Sequence, residues 1–190
     1  MTDKALIQRA RDGDEQAFKE LVQKYESRIA ATITGMLGHC PEVDDVGQET
    51  FIRFYYGLHK FRGDSSISTY LTRIAINLSL NELKRRKRKF SLFPKSSEDV
   101  RDQHDEFAHI EQNEAKQIVQ QALQDLGPKF RAVVVLRLID GYSTKETARI
   151  LNVPEGTVLS RLARAQRKMS RFLSQDFGGS NEPQVAKTFV

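Results

Sequence analysis

Apolar residues along this chain recur at the spacing of an α-helix, and this repeat limits the possible folds more than any other feature. Between Phe18 and Met36 they return every three or four residues, and later segments show the same spacing. Alternation with a period of two, which is typical of a half-buried strand, is nowhere sustained. Even the β-branched run 133–135 lies within a helical repeat that includes Phe130 and Leu138. The sequence therefore predicts an all-α protein.

Three helices are predicted before residue 90. The first starts at Asp14, which is a candidate N-cap. The second begins near Asp44, and we expect its buried apolar side to include Tyr55. The third starts near Ser66 and continues into the basic run 84–89, where cations suit the negative end of the helix dipole.

Charge is distributed unevenly along the chain. The whole sequence has 30 basic and 25 acidic residues, a formal net charge of +5. The net charge is −2 over residues 1–83, +6 over 84–89, −5 over 90–114 and +6 over 115–190. A stretch with many acids and few apolar side chains cannot form a packed core, so we interpret the acidic stretch as a linker. A solvated helix that begins near Glu98 is the alternative.

The linker divides the 190 residues into two small helical domains. The predicted boundaries are a first domain over 1–90, a flexible acidic linker over 91–114, a second domain over 115–175 and a flexible tail over 176–190. The last residues of the tail are apolar, so the tail could dock on the second domain. A disordered terminus is the alternative.

Composition excludes several classes of protein. The single cysteine, Cys40, rules out a disulfide framework. There is no leader-like segment at Met1 and no apolar run near the roughly 20 residues that cross a bilayer, so we expect a cytoplasmic protein without direct membrane insertion. His39 lacks an evident catalytic partner, and no glycine-rich loop could cradle a phosphate. We expect no enzyme, cofactor, metal or small-molecule substrate.

The second domain contains the pattern of a helix-turn-helix. Pro128 suits the start of a helix that Gly141 closes, Ser143 is an N-cap candidate for a short helix, residues 152–156 break it, and a longer helix starts at Thr157. The outward face of the longer helix holds Ser160, Arg161, Arg164, Arg167, Lys168 and Arg171, and its inner stripe holds Val158, Leu162, Ala165, Met169 and Phe172. A helix fits the major groove, where arginine reaches phosphates or guanine edges, so this pattern predicts DNA binding. A solvated basic face is the alternative.

Two parts of the chain resemble bacterial sigma factors of the sigma-70 family, specifically the short extracytoplasmic-function group that keeps only regions 2 and 4. Region 2 is similar to GDEQAFKELVQKY (13–25), VDDVGQETFIRFY (43–55) and FRGDSSISTYLTRIAINLSLNELKRRKR (61–88), and region 4 is similar to LGPKFRAVVVLRLIDGYSTKETARILNVPEGTVLSRLARAQRKM (126–169). The resemblance implies a dissociable transcription initiation factor that directs core RNA polymerase to promoters by reading their minus-10 and minus-35 elements. It also implies an anti-sigma factor that holds this subunit inactive.

The resemblance further implies that the second helix docks on the clamp coiled coil of the polymerase β′ subunit and that region 4 contacts the β flap. The matching core-polymerase-binding positions are Asp44, Asp45, Gln48, Glu49 and Phe51. Acidic side chains beside an aromatic ring suit a basic partner helix. The acids could instead be metal ligands of a nuclease, or simply partners of the helix dipole.

For the minus-10 element, the resemblance implies capture of a flipped base near the start of the third helix. The matching positions are Phe61, Arg62, Ser68, Thr69, Tyr70, Arg73, Asn77, Lys84, Arg85 and Arg86. Aromatic rings stabilise unstacked bases and an amide such as Asn77 reads a base edge. Tyr70 also lies on the apolar stripe, so core packing is an equal alternative for its ring.

For the minus-35 element, the resemblance implies reading by the longer helix of the helix-turn-helix. The matching positions are Thr157, Val158, Leu159, Ser160, Arg161, Ala163, Arg164 and Arg167. Leu159 and Ala163 depart from the family pattern, in which basic or larger polar residues are more common. Apolar groups contact thymine methyls but cannot donate to guanine, so these departures concern the preferred element. Gly47 also departs, and it weakens the second helix by up to about 1 kcal/mol.

One other function of a different class fits part of the pattern. A free-standing helix-turn-helix regulator would use the same basic helix, with the first domain for dimerisation or ligand sensing. It leaves the DNA-facing character of residues 61–88 unexplained.

Overall fold

The computed structural model describes residues 2–92 and 114–177, and every regular element in these two ranges is a helix. We call residues 2–92 the N-terminal bundle and residues 114–177 the C-terminal bundle. The N-terminal bundle contains α1 (Asp3–Arg11), α2 (Glu15–Leu37), α3 (Glu42–Gly57), a 3-10 turn (Leu58–Lys60) and α4 (Ile67–Leu92). The C-terminal bundle contains α5 (Glu114–Asp125), α6 (Pro128–Val134), a π-helical turn (Val135–Ile139), α7 (Thr144–Leu151) and α8 (Glu155–Phe177). The all-α prediction is confirmed.

The start of α2 is fixed by the residue that the sequence indicated. The Asp14 carboxylate accepts a hydrogen bond from the backbone N–H of Ala17 at 3.0 Å and pairs with Arg9 at 2.6 Å. The backbone hydrogen bond, followed by that from Arg9, lowers the pKa of Asp14 below its ordinary value. A charged carboxylate at this end of the helix is also attracted to the positive end of the helix dipole.

Helix α1 was not among the predicted helices. Thr2 caps it, and Leu6, Ile7 and Ala10 bury its inner face against α2. The Arg11 guanidinium donates a 3.0 Å hydrogen bond to the carbonyl of Leu58, which ties α1 to the 3-10 turn. These tertiary contacts hold a helix that is too short to be stable alone.

The predicted linker and tail lie almost wholly outside the described residues. Helix α4 runs through Leu92 and α5 begins at Glu114, so only the two ends of the segment 91–114 fall within these helices. The apolar end of the tail, whose docking the sequence suggested, also lies outside the described part.

The helix-turn-helix forms as predicted. Pro128 occupies the first turn of α6, and Ser143 caps α7 in a reciprocal capping box with Glu146. Asn152 ends α7 in the left-handed conformation, with φ of 52°, and so turns the chain into α8. Val158 of α8 packs with Val133 and Ala148 in a core that fixes α8 on α6 and α7.

One hydrophobic cluster contains residues from both bundles. Val135 and Leu136 from the π-helical turn, together with Tyr142, pack into the same buried cluster as Ile33 of α2. Gly35 makes this approach possible, since a Cβ atom there would lie 3.0 Å from Cγ2 of Val135. The sequence predicted two domains and gave no orientation between them.

A buried cation reinforces this contact from the C-terminal side. The Arg131 guanidinium donates to the backbone carbonyls of Met36 and Leu126 and to the Gln124 side chain. Burial lowers the pKa of Arg131 to about 10, so it stays charged at neutral pH. Its charge faces the carboxyl end of α2, where the helix dipole is negative.

Candidate nucleic-acid and protein interfaces

The outward face of α3 begins with acidic and amide side chains. Asp44, Asp45 and Gln48 are exposed. Glu49 forms a 2.7 Å ion pair with Arg53, which lies one turn later in α3. Asp44 and Asp45 lie in the first turn of α3, where the helix dipole favours negative charge. Dipole pairing accounts for their position and leaves both carboxylates accessible to a basic partner.

The same face continues into an exposed apolar patch that the sequence did not reveal. Ile52 and Tyr56 follow Gln48 at helical spacing, and Tyr56 is 77% exposed. Tyr55 was expected in the core, but it is 49% exposed, and its ring lies edge-on to the Phe18 ring with 5.0 Å between the two centroids. Phe51 is half-buried against the core. The steps of four from Gln48 to Ile52 and Tyr56 were the available signal.

A polar and cationic stripe runs along the exposed side of α4. Its members are three or four residues apart, and they are Arg73, Asn77, Asn81, Lys84 and Arg88. At about 1.5 Å per residue the stripe is roughly 23 Å long, which matches six to seven base pairs. Asn81 was not among the predicted residues, although its position four residues after Asn77 places it on the same face.

Two arginines at the end of this stripe differ in their surroundings. Arg85 pairs with Glu82 at 2.7 Å yet stays exposed. Arg86 is half-buried, and its guanidinium donates to Glu42 at 2.9 Å, to Glu82 at 3.2 Å and to the Cys40 sulfur at 2.9 Å. Arg86 stays a predicted DNA contact, and in this structure its hydrogen bonds join α4 to the start of α3.

The predicted base pocket before α4 is largely packed. Phe61 and Thr69 are buried, and the Tyr70 ring lies 5.1 Å from the Phe61 ring and 6.1 Å from the Phe54 ring. Tyr70 is half-buried, so core packing describes its ring in this structure. Arg62 is exposed beside this cluster.

Helix α8 presents most of its predicted reading residues to solvent. Leu159 is 55% exposed, and Ser160, Ala163, Arg164 and Arg167 are exposed as well, while Thr157 and Arg161 are half-buried. Val158 is an exception at 0% exposure. Its side chain fills the core of the C-terminal bundle, which corrects the expectation that it reads bases.

Helix α7 adds two exposed cations that the sequence did not single out. Lys145 and Arg149 line a groove that continues through Asn152 and Pro154 to the first residue of α8. The first helix of a helix-turn-helix crosses the DNA backbone, so cations at these positions suit phosphate contacts.

The C-terminal bundle covers part of the predicted minus-10 surface. The Tyr142 hydroxyl shares hydrogen bonds with Ser68 at 3.1 Å and with the buried Thr72 at 2.9 Å. At the residue after Thr72, the Arg73 guanidinium donates a 3.0 Å hydrogen bond to the carbonyl of Arg149. The start of the α4 stripe therefore lies against α7.

The described ranges contain neither a cluster of metal-ligating side chains nor a membrane-spanning helix. Among residues 2–92 and 114–177, no three His, Cys, Asp or Glu side chains come close enough to hold a metal ion. None of the helices in those ranges is long and apolar enough to span a bilayer.

Comparison with known families gives two matches along the chain. The family model described as Sigma-70 region 2 matches residues 21–89, and the one described as Sigma-70, region 4 matches residues 116–169. Among curated proteins, the ECF RNA polymerase sigma-E factor of Escherichia coli (strain K12) is 35% identical over 178 residues, which cover 87% of this chain and 91% of that protein.

Solved structures show the same arrangement of helices. CnrH, solved in complex with the cytosolic domain of CnrY, superposes with a TM-score of 0.67 at 27% identity, covering 92% of this chain and 98% of CnrH. The sigma factor RpoE of Bartonella quintana, solved with the anti-sigma factor NepR, superposes with a TM-score of 0.66 at 21% identity, covering 84% of this chain and 98% of RpoE. At 21% identity, the likeness to RpoE shows a shared fold.

Proposed function

Because this chain belongs to the sigma-70 family of RNA polymerase sigma factors, in the extracytoplasmic-function group, we propose that it is a dissociable promoter-specificity subunit of RNA polymerase. It has no chemistry of its own. It positions two DNA-reading surfaces on the enzyme in the cytoplasm. The observation that carries this proposal is the presence, in one chain, of an exposed acidic and aromatic face on α3 and two separate basic faces on α4 and α8.

The α3 face is the proposed surface for core polymerase. Asp44, Asp45 and Gln48 would meet the cations of a basic partner helix, and Tyr56 with Ile52 would supply the apolar contact. Exposed aromatic residues beside charges are typical of protein interfaces, in which a few residues, often Trp, Tyr or Arg, dominate the binding energy. The β′ clamp coiled coil is the proposed partner of this face, and the β flap is the proposed partner of the C-terminal bundle.

The α4 stripe and the outer face of α8 are the proposed promoter surfaces. On α4, Asn77 and Asn81 read or hold bases of the opened minus-10 element, while Lys84 and Arg88 follow the phosphates. The outer face of α8 enters the major groove at the minus-35 element, with Lys145 of α7 on the backbone. The buried Phe61, Thr69 and Val158 and the half-buried Arg86 support these surfaces from behind.

An anti-sigma factor is the proposed inhibitory partner. CnrH, which shares 27% identity with this chain, was solved with the cytosolic domain of another protein, CnrY. A free-standing helix-turn-helix regulator would account for α8 alone. The exposed face of α3 and the stripe of α4 then have no role.

Run-off transcription with purified core polymerase tests the proposed function. We expect a promoter-dependent transcript only when both core and the full chain are present. Asp45→Lys should weaken core binding about tenfold, or ~1.4 kcal/mol, because it places a cation against a basic partner. Glu26→Lys, at an exposed position of α2, is the matched control with the same charge change. Absence of a promoter-dependent product, or tight binding of a dimer to a palindrome without polymerase, would contradict the proposal.

A further inference from the structure

The exposed face of α3 has a charge pattern that is complementary to itself. Ile52 lies at the middle of this face, and it is 48% exposed. The exposed acids Asp44 and Asp45 lie eight and seven residues before it. The exposed basic residues His59 and Lys60 lie seven and eight residues after it. A helix with opposite charges at equal distances from its centre matches a second copy of itself that runs in the opposite direction.

Both charged ends of this face are held in place by the fold. The two acids occupy the first turn of α3, and Lys60 is the last residue of the 3-10 turn that follows this helix. The Arg11 guanidinium fixes that turn by donating to the carbonyls of Leu58 and Phe61. In the part of the chain that the structure describes, no ion pair engages either acid or Lys60. These charges are therefore available to another molecule.

The middle of the face, between the charged ends, is apolar. Tyr56 is 77% exposed and Tyr55 is 49% exposed, and with Ile52 they form a large exposed apolar surface on two adjacent turns. Exposed patches of this kind mark interaction sites. If a two-fold axis passes at Ile52, the two Ile52 side chains meet, and Gln48 of each copy faces Tyr56 of the other. An apolar centre with a polar rim is the usual arrangement of a protein interface.

We propose that this face binds a second copy of the chain, in an antiparallel dimer in which Asp44 of each copy pairs with Lys60 of the other. The dimer covers the surface that the proposed function assigns to core polymerase, so the second copy and core compete for it. This competition rests on the proposed function, whereas the dimer does not. One helix face is small for a protein interface, so we expect a dissociation constant of about 10–100 µM.

Sedimentation velocity of the full chain, without polymerase, tests the dimer. We expect the wild-type chain to change from monomer to dimer between about 1 and 200 µM. Asp44→Lys places two cations opposite each other at both ends of the interface, so it should weaken the dimer about tenfold. Glu26→Lys brings the same change of charge to an exposed position of α2, and it should dimerise like the wild type.

An exchange of the two charges tests which residues pair. Lys60→Asp alone should weaken the dimer as much as Asp44→Lys does. The double variant with Asp44→Lys and Lys60→Asp keeps the net charge and restores an opposite-charge pair, so its dissociation constant should return to within about twofold of the wild-type value. The same double variant should bind core polymerase as weakly as Asp44→Lys, because a basic partner still meets a cation at position 44.

A disulfide at the two-fold axis gives an independent measurement. Ile52→Cys, in a Cys40→Ser background that removes the native thiol, should cross-link two copies on oxidation, because the axis brings both side chains at position 52 together. Arg53→Cys, at the next exposed position and on a different side of α3, is the matched control and should cross-link about tenfold more slowly or less. The oxidised dimer should not bind core polymerase, and reduction should restore binding.

The outcomes separate the dimer from the proposed function. A wild-type chain that stays monomeric up to about 200 µM would overturn the dimer and leave the α3 face to other proteins. A double variant that dimerises no better than the single variants, or equal cross-linking at positions 52 and 53, would overturn the antiparallel pairing that we propose. A wild-type chain that gives no promoter-dependent transcript with core would overturn the proposed function and not the dimer, which is measured without polymerase.

Discussion

Asp140 lies where the two bundles meet, and its carboxyl group is largely buried. Burial raises its pKa to about 6, and this outweighs the opposing effects of the Thr32 hydroxyl and the Arg28 cation. The Thr32 hydroxyl lies 3.1 Å from the Arg28 carbonyl, and it donates a 3.0 Å hydrogen bond to Asp140 Oδ2.

The arrangement in which the two bundles are in contact, which we call the closed state, should therefore depend on pH. A carboxyl group whose pKa rises on closing favours the closed state fully below its ordinary pKa of 3.8, and this contribution is lost as the pH rises through about 6. Asp140→Asn mimics the protonated acid, so we expect it to favour closing at pH 7 by about tenfold to hundredfold and to remove the pH dependence between about 4 and 6. Energy transfer between labels at Gln23→Cys and Gln121→Cys, both exposed positions, measures the closed fraction. Equal pH dependence in wild type and variant would contradict this role.

Leu159 should set part of the minus-35 preference. It is exposed on the second turn of α8, where an apolar side chain contacts a thymine methyl and cannot donate to guanine. We expect Leu159→Arg to shift the preferred base at one position toward guanine, with about 1–3 kcal/mol of discrimination. Binding of the polymerase complex to a set of single-base promoter variants measures this shift.

A matched control separates base reading from added charge. Ser170→Arg places the same cation at an exposed position three turns further along α8. It should strengthen binding to all promoters alike. The same change of base preference in both variants would contradict a direct contact by residue 159.

Single residues were predicted from the sequence only where their role depends on local neighbours. Asp14 and Ser143 cap helices within three residues of themselves, and both were identified. The half-buried position of Arg86 could not be predicted because it depends on residues far away in the chain, whereas Val158 already lay on the predicted inner stripe of α8. The acids that engage Arg86 include Glu42, which lies 44 positions earlier.

At the scale of the helix, Gly47 lowers the stability of α3, and no close contact requires a glycine at this position. A Cβ atom at this position would meet only Ile33 Cδ1, at 4.0 Å, which is an ordinary contact. We expect Gly47→Ala to stabilise the protein by up to about 1 kcal/mol and to raise the melting temperature by about 2–4 °C. Thermal unfolding followed by circular dichroism measures it.

Gly35 provides the matched comparison within α2. Gly35→Ala brings the same gain in helix propensity, but its Cβ would lie 3.0 Å from Val135 Cγ2. We therefore expect little or no gain in melting temperature and a larger fraction of molecules in which the two bundles are separated. Equal stabilisation by the two substitutions would show that Gly35 is not needed for close approach.

Helices with long apolar repeats were predicted well. The short helix α1 was not predicted, and the exposure of two aromatic residues on α3 was not predicted either. The inner stripe of α8 forms as its spacing indicated, with Ala165 and Met169 buried. Helix α1 has three buried apolar residues and depends on contacts with other helices. Tyr55 and Tyr56 share the apolar character of Phe54, so hydrophobicity alone could not tell the buried ring from the exposed ones.

At the scale of the whole molecule, the contact between the bundles was beyond sequence reasoning. Periodicity shows which face of a helix is apolar, and it does not show which other helix covers that face. The residues that join the bundles include Thr32, Gly35 and Thr72, none of which is distinctive in the sequence. Thr32 and Thr72 are hydrogen-bonded to residues 108 and 70 positions away, and Gly35 packs against Val135.

The central claim is that one chain reads two separate promoter elements with α4 and α8. Energy transfer between the two bundles during promoter binding tests this claim most directly. Labels at Gln23→Cys and Gln121→Cys, in the Cys40→Ser background, report the distance between α2 and α5, which contact each other in the closed chain. Our account predicts high transfer in the free protein and a loss of transfer when core polymerase and promoter DNA are added. Unchanged high transfer in a complex that transcribes from the promoter would contradict it.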